Sequence, residues 1–214
     1  MKKGFTLAEV LITLAIIGVV ATMTLPALMT NTAEQQAKTA LKKGISTLTD
    51  AAQMNATVKG FDYGAITSGD TSNEDDPSLW ALLSTQLAVD WGATGNGKNG
   101  KTKGSSSFGD NNYTFFLRDG SSITYNTTDL SSSESAGTIE DDGLPHGIKI
   151  IFDTNGAKGP NVLSNCAGTA TNADTDTGDC SLKKNRVFKD QYALRLRNSV
   201  VVPNGSAARY IYNN

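Results

Sequence analysis

Gly4-Phe5-Thr6-Leu7-Ala8-Glu9-Val10-Leu11-Ile12-Thr13-Leu14-Ala15-Ile16-Ile17-Gly18-Val19-Val20-Ala21 is the stretch on which the reading of this chain turns. It comes after Lys2-Lys3, and apolar residues with interspersed Thr continue to Met29. A helix rises ~1.5 Å per residue, so ~20 apolar residues cross a bilayer core, and Phe5 to Leu28 supplies that length. Lysines ahead of the run leave the start of the chain cytoplasmic and send the domain behind the run outside. A secretory signal peptide shares the basic start and the apolar core. Two features stand against it. The run is long, and Glu9 lies in its first turns, where a carboxylate is costly in lipid and pointless in a segment about to be discarded.

Working outward, the rest of the 214 residues is rich in Gly, Ser, Asn, Thr and Asp, the composition of a loop-rich domain carried by an apolar stem. Nineteen Lys and Arg against 21 Asp and Glu give a formal charge of -2, which argues against a general phosphate-binding surface and makes nucleic acid an unfavoured partner. Cys166 and Cys180 sit in a polar stretch that cannot build a core of its own, so in an exported domain a disulfide is the natural staple. Two free buried thiols are the alternative.

Lys3-Gly4-Phe5-Thr6-Leu7-Ala8-Glu9-Val10-Leu11-Ile12-Thr13-Leu14 resembles the cleavage and methylation signature of type IV prepilins and pseudopilins. The resemblance implies that a prepilin peptidase cuts between Gly4 and Phe5 on the cytoplasmic side and N-methylates Phe5. It further implies that Glu9 serves subunit assembly, that Pro26 loosens the helix, and that the partners are other pilin or pseudopilin subunits, an inner-membrane assembly platform and membrane lipid. The place is then the inner membrane, single-pass, with the domain outside the cytoplasm and assembled into a cell-surface or periplasmic filament. Elementary chemistry agrees. Gly4 leaves its peptide bond open to a protease. Glu9 gains most from a cation such as a neighbour's new amino terminus. Pro26 removes a backbone donor and crowds the preceding turn, although an ordinary transmembrane proline reads the same way.

Beyond Met29 the pattern turns amphipathic. Ala33, Ala37, Leu41, Ile45, Leu48, Ala52 and Ala56 fall at helical spacing, Lys38, Lys42, Lys43 and Asp50 take other faces, and Gly60 supplies a stop. One helix from about Thr6 to Lys59 is expected, its second half carrying the domain. Asp75-Asp76-Pro77 opens a short second helix ending near Asp90. Residues 91–112 read as a flexible loop, with Lys98, Lys101 and Lys103 solvated. Tyr113–Arg118 and Ser121–Tyr125 flank Asp119-Gly120, a hairpin signal, and further strands are expected at Gly147–Phe152, Gln191–Arg197 and Ser199–Val202. The fold class is therefore α+β, a long N-terminal helix packed on a small antiparallel sheet with long loops, which is also the architecture that the resemblance implies. The segments are 1–4 as leader, 5–29 as membrane helix, 30–60 as its amphipathic continuation and 61–214 as the extracytoplasmic domain.

Catalytic chemistry finds no purchase. His146 is the only histidine and sits in a Pro-His-Gly turn, Asp141-Asp142 reads as a solvated turn, and neither a nucleophile elbow nor a phosphate loop is present. Two oxygen-rich loops invite calcium. Asp153-Thr154-Asn155-Gly156-Ala157-Lys158-Gly159-Pro160-Asn161 resembles a loop that recurs in pilin-like proteins, some of which hold calcium. Around Asp174 and Asp176 the oxygen ligands alternate as in an EF-hand, but Thr177 replaces the glycine that such a loop requires. The competing reading of both is a turn that satisfies its own backbone. Three functions are open, in this order: a filament subunit, a DNA-uptake pseudopilin recognisable by exposed basic or aromatic residues, and a membrane-anchored enzyme.

Overall fold

The computed structural model describes residues 4, 6–61, 82, 86–90, 97–98, 112–126, 147–167, 178–181 and 186–214. The chain divides into two compact units, Met1–Gln36 and Ala37–Asn214. Helix α1 (Leu7–Lys59) contributes to both, and its backbone is helical through Pro26. It ends where expected, at Gly60, whose φ of 70° is the left-handed conformation that a C-terminal glycine adopts without strain.

In the second unit α1 meets a six-stranded antiparallel sheet whose strands lie side by side in chain order: β1 (Gly97–Lys98), β2 (Asn112–Phe116), β3 (Ser122–Asn126), β4 (Ile148–Asp153), β5 (Gln191–Arg197) and β6 (Val200–Pro203). Alternation along the strands puts Phe115, Ile123, Ile150, Phe152, Tyr192, Leu194 and Leu196 on one face. That face closes on Leu41, Ile45, Leu48 and Ala52 of α1 to make the core. Register keeps the layers aligned, with Phe115 opposite Ile123, Ile123 opposite Phe152 and Phe152 opposite Tyr192. Gly44 explains how closely helix and sheet approach. A Cβ there would lie 2.5 Å from the Phe152 ring, so a larger residue would push the layers apart. Across the same seam Thr49 Oγ1 accepts the Val201 backbone N–H at 3.1 Å.

The β2–β3 hairpin turns through Asp119-Gly120 as the sequence predicts. Gly120 takes φ 90°, and Asp119 Oδ1 accepts from the Ser121 backbone N–H at 3.1 Å and from its hydroxyl. Asn198 (φ 50°) opens the two-residue turn between β5 and β6, a conformation that Asn tolerates better than most residues.

Three features depart from expectation. The stretch read as a flexible loop contributes the two-residue strand β1, which pairs with β2 at Gly97–Thr114 and Lys98–Tyr113. The helix expected to end near Asp90 is already over at Leu87: Leu82 and Gln86 are helical, and Val89 instead bridges to Leu117. Most of that segment, like Lys101, Lys103, Asp141, Asp142 and His146, lies outside the described residues. Finally, the chain closes on a helix α2 (Ser206–Asn213) that the sequence pattern does not announce. It buries Ala208 and Ile211 in the main core, and Ala207 against the disulfide.

Candidate assembly motif and the braced loops

The start of α1 is built by two residues. Glu9 Oε2 accepts the Thr6 backbone N–H at 2.8 Å and the Thr6 hydroxyl at 2.7 Å, while Thr6 Oγ1 accepts the Glu9 N–H at 3.3 Å. Ser/Thr at the N-cap with Glu three residues later is the capping box, which satisfies two otherwise orphaned donors of the first turn. Gly4 stands outside the helix and is exposed. Phe5 lies outside the described residues.

From Leu7 to Leu25 the helix is 19 residues long with mean hydropathy 2.2, and none of it is buried within the chain. Leu7, Leu11, Leu14, Ile17 and Met23 are each more than half exposed. The threonines do not spoil this surface. Thr13, Thr22 and Thr24 turn their hydroxyls back onto the carbonyls of Val10, Val19 and Val20 at 2.8–3.0 Å, so their polarity is satisfied inside the helix. Such a helix is suited to anchoring in a membrane, where every polar group needs an internal partner.

Cys166 and Cys180 are joined by a disulfide. Around it a small second core gathers both sulfurs and Ala207, flanked by Phe188 and Tyr210. Arg186 lies over both aromatic rings, 5.3 Å from Phe188 and 5.2 Å from Tyr210, and donates to the Tyr210 hydroxyl at 2.8 Å. Gly178 passes so close to the Cys166 backbone that a Cβ has no room. The sequence marked the cysteines, but not the glycine or the aromatic bracket.

The loop after β4 is held by two buried carboxylates. Asp153 Oδ1 accepts the Asn155 and Gly156 N–H groups at 3.0 and 2.9 Å, and its Oδ2 accepts from Gln191 Nε2 at 3.1 Å. Asp190, which no sequence motif singles out, takes the far end of the loop. Its Oδ2 accepts from Asn161 N at 2.7 Å and Asn155 Nδ2 at 3.3 Å, and its Oδ1 from Val162 N at 2.9 Å. Burial, helped by the neighbouring Asp190 charge, pushes the Asp153 carboxyl up to about 6 against the opposing pull of its N–H donors. All four carboxylate oxygens thus receive N–H groups, which calcium at Asp153 and Asn155 would have to displace, whereas Asn155 Oδ1 is buried with no hydrogen-bond partner among the described residues. Among the described residues no group of three His, Cys, Asp or Glu side chains is placed to hold a metal ion. Asp174 and Asp176 lie outside the described residues.

Residues 1–25 match the family described as the prokaryotic N-terminal methylation motif, the signature of type IV pilins and pseudopilins. The match covers the stem and stops short of the globular part. It supports a pilin-like or pseudopilin precursor, processed by prepilin peptidase and assembling with other pilin subunits, and it suggests a structural subunit rather than an enzyme. No curated protein and no solved structure matches the chain.

Proposed function

We propose that this chain is a structural subunit of a type IV pilus-like or type II secretion-like filament. The observation that carries the reading is the coincidence of the methylation motif with an apolar helix, Leu7–Leu25, of which no residue is buried inside the chain. A surface of that size in an exported protein calls for an external apolar partner, first lipid and then the equivalent helices of other copies. In this reading the peptidase removes Met1 to Gly4 and methylates the Phe5 amine. Glu9 meets that amine on a neighbouring subunit, Pro26 lets the helix adjust during packing, and an inner-membrane platform lifts the subunit out of the bilayer. The sheet-bearing unit forms the filament exterior.

Mass spectrometry of the mature protein tests this. The expected species begins at Phe5 with one added methyl group. A chain beginning at Met1, or cut near Ala27 or Ala33 by an ordinary signal peptidase, removes the main support. Calcium is a separate matter, checked by adding it to chelator-treated protein. A rise in melting temperature supports a site at Asp153 and Asn155 or at Asp174 and Asp176, and no shift retires both.

A further inference from the structure

Within the sheet-bearing unit, α1 and the sheet do not meet flush beside the β2–β3 turn. Ala40 and Gly44, four residues apart on one side of the helix, carry too little side chain to fill that space, and Gly44 cannot be enlarged without striking the Phe152 ring. A cleft of about 180 Å³ is left. Its floor is apolar, made by Leu48, Leu117 and Phe152, and its rim is polar. Lys43 Nζ donates to Asp119 Oδ2 at 2.8 Å across the rim, and both side chains reach solvent, 64% and 40% exposed. An ammonium has three N–H groups, and this bond uses one. Asp119 Oδ2 accepts only that N–H among the described residues, while Oδ1 is taken by the Ser121 N–H and hydroxyl. Thr47 is exposed, and its hydroxyl makes no hydrogen bond among the described residues. Thr154 donates its hydroxyl to the Asp190 carbonyl at 3.1 Å and keeps its acceptor lone pairs.

The rim is charged, yet neutral as a whole. A cationic ligand would face Lys43 and an anionic one would face Asp119, so neither sign is matched. What the rim matches is a neutral group with adjacent hydroxyls, each able to donate and accept at once. The floor requires an apolar surface behind those hydroxyls. The space lies below the about 300 Å³ at which pockets for drug-sized ligands begin. One ring of a neutral sugar meets all three conditions, with C–H groups on one face and hydroxyls around its edge. We propose that the cleft between α1 and the β2–β3 turn binds a single neutral sugar residue, with Lys43 and Asp119 acting as a donor and acceptor pair on neighbouring hydroxyls. The site is built within the sheet-bearing unit and does not depend on the assembly reading. Where copies repeat along a filament, weak sites gain by avidity.

The test titrates the methyl glycosides of glucose, galactose, mannose and N-acetylglucosamine against the full chain, in a detergent without a sugar headgroup, and follows binding by saturation-transfer NMR. At least one should bind saturably with a Kd of about 1–10 mM, the range of so small a contact, and about fivefold or more tighter than glucosamine or glucuronic acid. The ion pair should set that preference. Lys43→Met should weaken the neutral glycoside and turn the preference toward glucosamine, and Asp119→Asn, which keeps an acceptor for Ser121, should turn it toward glucuronic acid. A pair that only braced the turn would not invert selectivity. Ala40→Met fills the cleft from the helix and should abolish binding with the melting temperature kept. Exposed Thr47→Val should weaken binding severalfold and keeps the test decisive if Ala40→Met fails to fold. No saturable binding by any of the glycosides overturns the proposal. So does a parent that prefers a charged sugar, or binding that Thr47→Val and a folded Ala40→Met leave unchanged.

Discussion

The two halves of α1 are one continuous helix with opposite fates. From Leu7 to Leu25 its large apolar side chains are exposed all round, whereas from Leu41 to Ala52 a narrow stripe is buried and the lysines beside it face solvent. Two glycines mark the contrast. Gly18 has nothing within 4 Å of where a Cβ would stand, and Gly44 has the Phe152 ring there. An apolar residue turned outward from a folded chain needs a partner from elsewhere, and one on a stripe has found its partner at home. The first half therefore fits membrane anchoring, and the second is fitted to its own sheet.

That contrast can be broken from either side. The largest effect expected is from Ile16→Lys, which places a charge deep in the stem at about 3 kcal/mol on the insertion scale. Membrane association should fall sharply in a fractionation assay while the melting of the sheet-bearing unit stays put; loss of that unit's melting transition as well would show the halves to be energetically one. The mirror experiment replaces Cys166 and Cys180 by Ala. Opening a bridge with a sequence separation of 14 should lower the stability of the globular unit by about 3 kcal/mol in denaturant titration, with membrane partition unchanged.

The glycine pair sharpens the comparison. Gly44→Ala brings a methyl group against a buried ring, and overpacking should outweigh the gain in helix propensity, for a net loss of about 1–2 kcal/mol. Gly18→Ala meets open space and should leave the detergent-solubilised subunit as stable as before or slightly more so. Equal thermal shifts for the two would mean that Phe152 yields easily.

The smallest effect concerns acidity within the globular unit. Asp153 has a folded-state pKa raised to about 6 from an ordinary value of 3.8. The folded state therefore holds the proton more tightly than the unfolded state. This contribution to stability is full below about pH 4 and is lost as the pH rises through about 6, amounting to about 1 kcal/mol after allowance for screening. Asp153→Asn keeps an acceptor for the Asn155 and Gly156 N–H groups and should flatten the profile between about pH 4 and 7. A parent whose melting temperature rises with pH across that window would contradict the assignment.

How much of this was legible depends on the range of the forces involved. The stem, the Gly60 stop, the Asp119-Gly120 turn and the strand β5 are local patterns, encoded within a few residues of one another. Sequence by itself was enough for them, and for the helix-then-sheet order that sets the fold class. It was also enough to mark Cys166 and Cys180, because a polar segment offers cysteines little else to do. Only the tertiary structure decided the rest. The eight-residue helix α2 is too short to be stable alone and depends on the disulfide and core it covers. Asp190 became a loop brace because β5 sets it beside a segment nearly thirty residues earlier, where burial removes water and leaves backbone N–H groups as its partners. Gly44, which the helical stripe does not single out, matters because the sheet brings Phe152 against it. Each depends on atoms far apart in sequence, and the energy of such a contact does not exist until the chain has closed.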